Sequence, residues 1–387
     1  MTTKELIKLR IYELWILSKL LFARFLALFS KDRNIWLLSE RGKEARDNAY
    51  FFFVWLKEHH PEIKAKYIVS KESKDYHKFD QWPQDRVEYD SMKHLISLWQ
   101  AKYLISTHIG GYITNCPFFY KLNKMYHVYN IFRNKKRVFL QHGITKDFMK
   151  GLAYDITHLD LFIAGSKIEY EYIKQHFGYP DGIVQYTGFC RYDNLNEFHT
   201  KKQLLIMPTW RVYIDRERFE ESTYYHAYKD LLCSKEFHAV LAKYGYKAVF
   251  YPHYEFQSKI QLFKNLSLPD RVVIADMCYD VQTLLKESEV LLTDFSSVFF
   301  DMMYMHKPIL FYQFDEEEYR ARHYQEGYLR YRDVGPVVRT LPEVIEQTKA
   351  ILTQPNNLEQ YIAYYDQTFA MRDNNNCQRV YEAILKC

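Results

Sequence analysis

From residue 35 onward this chain alternates short runs of β-branched, leucine and aromatic residues with helical patterns, and no other feature limits its fold as much. The runs lie at 35–39, 66–69, 87–89, 103–106, 138–141, 161–164, 184–187, 204–207, 248–251, 272–275, 290–293, 309–312 and 336–338. Helical patterns occupy 45–59, 166–177, 224–243, 281–286, 342–352 and 358–369, and Ser166 with Glu169 has the spacing of a capping box. Strands that are apolar throughout and lead into helices belong to parallel sheets buried on both faces. A polar stretch at 191–202 interrupts the alternation before a fresh strand. The expected class is therefore α/β, with two doubly wound domains, 34–195 and 196–387, facing a cleft. The last helix can pack back on the first domain. In such sheets ligands bind beyond the carboxyl ends of the strands, so polar strand ends are the places to search.

Composition excludes disorder, with 48% hydrophobic and 26% charged residues. The 35 Tyr, 27 Phe and 6 Trp suit cores and also wet apolar boundaries. Residues 1–33 hold Lys4, Lys8, Arg10, Lys19, Arg24, Lys31 and Arg33 against Glu5, Glu13 and Asp32, which leaves the remainder nearly neutral within a total of +5. A basic end on a neutral body points to anionic lipid and away from nucleic acid. Glu13, Lys19 and Arg24 interrupt the apolar stretch 11–29, so a spanning helix and a signal peptide are both unexpected. Segment 1–33 reads as a helix lying in a membrane interface, the alternative being a helix docked on the first domain. A second basic segment, 117–137, carries Lys121, Lys124, Arg133, Lys135, Lys136 and Arg137 without an acid, interleaved with Phe118, Phe119, Tyr120, Tyr126, Tyr129 and Phe132. Its position just before His142 suits an anionic surface or a lipid-linked acceptor. Cys116, Cys190, Cys233, Cys278, Cys377 and Cys387 form no CxxC or zinc spacing, the pattern of reduced, buried thiols.

Four strand ends could carry chemistry. Val138–Asp147 delivers His142 with Gly143, Thr145 and Lys146 behind it, and a histidine there can act as a general base. A second run ends in Pro208-Thr209-Trp210-Arg211, where a hydroxyl and a guanidinium suit phosphate oxygens. A third places His253 after Tyr251-Pro252. The fourth runs Thr293-Asp294-Phe295-Ser296-Ser297 into a helix holding Asp301. Hydroxyls and unpaired backbone N–H groups at such a start make an anion site that needs no metal. GxGxxG, GxxxxGK[ST], HExxH and GxSxG are absent.

In order and content these clusters resemble the CDP-glycerol glycerophosphotransferases of teichoic acid and capsule synthesis. The likeness runs from about Arg41 to the end. It takes in Gly42, Asp47-Asn48, Gly188-Phe189-Cys190-Arg191, Lys307-Pro308-Ile309-Leu310-Phe311-Tyr312, Asp315 and Tyr319-Arg320. The resemblance implies a GT-B-like fold of two Rossmann-like domains, the second holding the CDP-glycerol donor and the first the acceptor. It implies donor contacts from Gly143, Thr145, Arg191, Pro208, Thr209, Arg211, Asp294, Ser296, Ser297 and Asp301. His142 and His253 would be the catalytic pair, with His142 the base or a cleft residue essential to transfer. Asp47, Asn48, Lys135, Lys136 and Arg137 would face the acceptor or membrane. No cofactor or metal is implied, and the expected location is peripheral, on the cytoplasmic face of the plasma membrane. The family's Trp before His-Gly is Gln141 here, and its Gly-Thr-Pro is Gly143-Ile144-Thr145. These departures leave the acceptor and the donor polyol open. CDP-ribitol transferases, GT-B glycosyltransferases using sugar nucleotides and a non-catalytic membrane assembly factor stay as alternatives.

Overall fold

A computed structural model describes residues 3–112, 134–215, 217–322 and 327–387. The first sheet contains β1 (Ile35–Ser39), β2 (Ala65–Val69), β3 (Arg86–Glu88), β4 (Ala101–Ser106), β5 (Lys136–Phe139), β6 (Leu161–Ala164) and β7 (Val184–Tyr186). The second contains β8 (Lys201–Ile206), β9 (Lys247–Phe250), β10 (Val272–Ile274), β11 (Ser288–Thr293), β12 (Ile309–Tyr312) and β13 (Val337–Val338). Their orders are β3-β2-β1-β4-β5-β6-β7 and β10-β9-β8-β11-β12-β13. All pairings are parallel, so both sheets are doubly wound, with strand order reversing between β1 and β4 and between β8 and β11. Every apolar run read from the sequence is one of these strands, because the fully buried β-branched stretches leave the backbone no better partner than a neighbouring strand.

Helices depart from expectation at three places. The single helix expected at 224–243 is two, Thr223–Cys233 and Lys235–Tyr244, because Ser234 takes the N–H of Phe237 and starts a new helix. The helix expected from 45 begins at Asn48, where Asp47 is the N-cap. The helix after the paired serines begins only at Phe299 and runs six residues to Tyr304, so Ser296 and Ser297 stand in the turn ahead of it.

The aromatic surplus goes chiefly into the core: Tyr67, Tyr192, Tyr224, Tyr228, Tyr319 and Tyr365 are fully buried. Helix Asn376–Lys386 lies against the first sheet, with Tyr381 stacked on His60 at 4.0 Å and Arg379 Nε donating to the Thr187 carbonyl at 2.9 Å. Helix Thr3–Leu28 docks on helix Met92–Gln100 through buried Leu20 and Ala23, and Trp99 Nε1 donates to the Leu20 carbonyl. Its other side leaves Leu14, Trp15, Leu21, Phe22, Phe25 and Leu28 in solvent. Among the described residues no helix is long and apolar enough to cross a membrane.

Candidate active site

The first wall of the cleft is built from the ends of β1, β4 and β5. Beyond β1, the Glu40 carboxylate accepts the N–H groups of Arg46 and Asp47, shaping the loop that leads into helix Asn48–His59. Burial, then the charges of Asp47 and Glu44, push Glu40 up to about 8. Asn48, fully buried, donates to the carbonyls of Leu140 and Gln141 at 3.2 and 2.8 Å, tying that helix start to the end of β5. Gln141 has φ +58°, a left-handed conformation uncommon without glycine. It is held there by its side chain, which donates to Ile163 O and Glu169 and accepts from Thr145 Oγ1, each at 2.9 Å.

That strained turn presents His142 to the cleft. The ring opens to solvent, while the surrounding protein removes much of its water. This desolvation and the charges of Arg41 and Arg191 hold its pKa below the ordinary histidine value, against the pull of the Thr107 carbonyl. Nδ1 lies 3.2 Å from that carbonyl, which can only accept, so Nδ1 carries the proton and Nε2 keeps a lone pair. The imidazole of His108, from the end of β4, stacks on His142 with ring centres 4.3 Å apart and planes 5° from parallel.

The second wall comes from the ends of β8, β9 and β11. Asp294, fully buried, accepts from Thr209 N at 2.8 Å and from Phe295 N, and pairs with Arg211 at 3.0 Å. Arg211 also makes a bidentate pair with Asp315 at 2.6 and 2.8 Å and is ringed by Tyr224, Phe295, Phe314 and Tyr319. This ion set fixes Thr209 beside the turn that carries Ser296 and Ser297. Above it His253 stacks on Trp210 at 6.2 Å, and its Nδ1 accepts from Glu255 N, which puts the ring proton on Nε2.

The walls meet closely. A Cβ placed on Gly143 would lie 2.8 Å from Ser297 Oγ, so the glycine lets the His142 turn touch the serine turn. Arg41 of the first wall lies 4.9 Å over the ring of Tyr254, next to His253. Arg191 donates to Asp47 and, bidentately, to Asp301, all at 3.0 Å, and its backbone N–H bonds Asn48. Arg320 reaches Asp147 at 3.2 Å.

His142, Gly143, Thr209, His253, Ser296 and Ser297 thus converge on the cleft, with Asp47 at its edge and Pro208 buried behind Thr209. Other expected contacts are corrected. Arg211 and Asp294 are sealed inside the second domain, and Arg191 and Asp301 are spent on each other. Thr145 and Asn48 hold the His142 turn from behind. Arg137 is buried against the carbonyls of Thr157 and His158, so it cannot meet a membrane. Lys135 donates to Trp99 O, and Lys136 is exposed and pairs with Asp160. Lys121, Lys124, Arg133 and their interleaved aromatic residues lie outside the described residues. Reading the sequence missed His108 and Glu40, and it named Glu169, Arg41 and Asp315 without giving them a place at the site. His108 carried a usable signal, since it follows a strand as His142 does.

Two facing Rossmann-like domains, with an imidazole on one wall and paired hydroxyls on the other, define a GT-B-like fold. The sequence model of the CDP-glycerol:poly(glycerophosphate) glycerophosphotransferases matches residues 20–386, and the chain belongs to that family. It is 31% identical over 391 residues to the minor teichoic acid biosynthesis protein GgaB of Bacillus subtilis, covering 96% of this chain and 42% of that protein. Against the teichoic acid poly(glycerol phosphate) polymerase of the same organism the identity is 22%, over 92% of this chain and 49% of the other, so the chain spans about half the length of these two relatives. It is also 23% identical to the teichoic acid glycerol-phosphate transferase of Staphylococcus aureus, covering 100% and 99% of the two chains. The solved wall teichoic acid polymerase TagF shares the fold, with a TM-score of 0.65 at 16% identity over 100% of this chain and 98% of that one.

Proposed function

We propose that the protein transfers glycerol phosphate from CDP-glycerol to a hydroxyl of a lipid-linked or polymeric acceptor and releases CMP. The observation that carries this reading is the contact of Gly143 with Ser297, which sets a base beside an anion-binding turn. The acceptor oxygen attacks the phosphorus bonded to glycerol, its proton passes to His142 Nε2, and the P–O bond to CMP breaks. Ser296, Ser297 and the Nε2–H of His253 donate to the phosphate oxygens, where charge collects as CMP departs. Transfers of this kind draw their rate largely from positioning and electrostatics. The family membership and the transferase and polymerase relatives support glycerol phosphate as the transferred group. The exposed apolar side of helix Thr3–Leu28 supports peripheral attachment to a membrane, which we place at the cytoplasmic face, near a lipid-linked acceptor.

The test is to incubate purified protein and a lipid-linked acceptor with CDP-glycerol, CDP-ribitol or UDP-sugars and to measure the nucleotide released. CMP from CDP-glycerol is expected. CMP from CDP-ribitol alone would move the reading to a ribitol phosphate transferase; a 107-residue match, 29% identical, to a teichoic acid poly(ribitol-phosphate) polymerase gives that arm its place. UDP alone would make the protein a glycosyltransferase.

A further inference from the structure

β4 and β5 are parallel neighbours with Ser106 opposite Phe139, and Leu140 N donates to Ser106 O at 2.8 Å. His108 stands two residues past one register position and His142 three past the other, which brings the two rings face to face. Thr107 serves both. Its carbonyl takes the Nδ1–H of His142, and its hydroxyl shares a 2.9 Å hydrogen bond with His108 Nδ1. The His108 backbone is fixed in turn. Its N–H donates to Ser106 Oγ at 3.2 Å, its carbonyl accepts from Gly111 N at 2.9 Å, and Ser106 Oγ donates to Glu40 O at 3.2 Å. A Cβ on Gly111 would come within 1.9 Å of that Glu40 oxygen, so the turn has no slack.

One hydrogen bond to a carbonyl leaves an imidazole free to pivot, because the second side-chain torsion of histidine has broad minima. A second ring laid on its face removes that freedom. We propose that His108 is a positioning residue for the base: together with the Thr107 carbonyl it sets the plane of His142 and keeps the Nε2 lone pair aimed at the acceptor hydroxyl. The proposal rests on His142 being the base of the transfer. His108 is no proton carrier itself, since burial, His142 and Arg41 push it down to about 2. The charged groups that face His142 are Arg41 and Glu44 beyond β1 and Arg191 from the turn after β7, the last already paired with Asp47 and Asp301. The two arginines oppose a second positive charge in the stack, and Glu44 favours it.

The experiment compares the full chain with His108→Ala and His108→Phe, using CMP release from CDP-glycerol and ¹⁵N-histidine NMR of the protein without substrate. His108→Ala should lower kcat ten- to fiftyfold, leave KM for CDP-glycerol within twofold and move the acid limb of the pH profile upward as water reaches His142. His108→Phe keeps a ring on the same face, so it should hold kcat within threefold of wild type with the limb unmoved. NMR should show a single Nδ1–H form of His142 in wild type and a mixture of forms in His108→Ala. Should the alanine variant fail to fold, His108→Leu replaces it. Retention of kcat within twofold by His108→Ala, or an equal loss in His108→Phe, overturns the proposal. If wild type releases no CMP from any CDP-polyol, the proposed transfer fails by itself. The NMR arm then decides alone, and an unchanged His142 pattern in the alanine variant overturns the positioning role.

Discussion

The two walls of the cleft are held by different physics. On the first, His142 is placed by a carbonyl, a stacked ring and a network of amide and hydroxyl contacts around Gln141, and the group they hold is an uncharged imidazole. On the second, Thr209 and the serine turn are fixed by Arg211 between Asp294 and Asp315, charges fully out of water. A proton-accepting wall must be tunable, whereas a phosphate-holding wall gains from charges that do not titrate. The contrast predicts that pH and mutation act on turnover through the first wall and on binding and stability through the second.

The largest expected effect is on turnover. His142→Ala should lower CMP release about 10³-fold or more, within the range for loss of a general base, while calorimetry finds CDP-glycerol affinity within threefold of wild type. Parallel loss of affinity would erase the distinction between the walls. Arg211→Met leaves Asp294 and Asp315 without their cation, and urea unfolding should show a loss of about 3–5 kcal/mol. A loss below 1 kcal/mol would mean that the second wall does not depend on its ion set. Changing Ser296 and Ser297 together to Ala removes the two hydrogen bonds proposed to a charged phosphate, each worth ~1.5–3 kcal/mol, and should weaken CDP-glycerol binding at least tenfold by calorimetry. Unchanged affinity would reduce the pair to a helix approach.

The pH test is finer. Because burial, Arg41 and Arg191 hold the His142 pKa below its ordinary 6.5, the ring is more than half deprotonated at that pH. The acid limb of CMP release should therefore be centred below pH 6.5, with CDP-glycerol affinity changing less than twofold over the same range. An acid limb centred above 6.5 would contradict the desolvated placement of the ring. The smallest effect belongs to Lys136, whose charge near an anionic surface is worth about 1 kcal/mol. Lys136→Gln should weaken flotation with anionic vesicles about fivefold and leave neutral vesicles unaffected.

The strands were legible in the sequence because each is an unbroken apolar run, and the ligand-bearing ends followed from where such runs stop. His142, His253 and the serine pair could be found by that rule, and His108 fits it equally well. What the rule could not separate was an arginine that meets a ligand from one that meets an aspartate. Arg211 and Asp315 are 104 positions apart, and Arg191 and Asp47 are 144 apart. Nothing local to either arginine announces its partner. Likewise Ser234 reads as one more helical residue until its side chain is seen capping the helix behind it.

Arg191 has a consequence for how this sequence can drift over generations. Its guanidinium is shared between Asp47 of the first domain and Asp301 of the second, from a turn that belongs to the connection between the sheets. Losing Arg191 strips both carboxylates of their cation, and losing Asp301 leaves the buried guanidinium only its single bond to Asp47. Descendants that keep the cleft should therefore inherit positions 191 and 301 as one linked pair, while position 47 has more latitude and the solvent-facing residues around them vary independently.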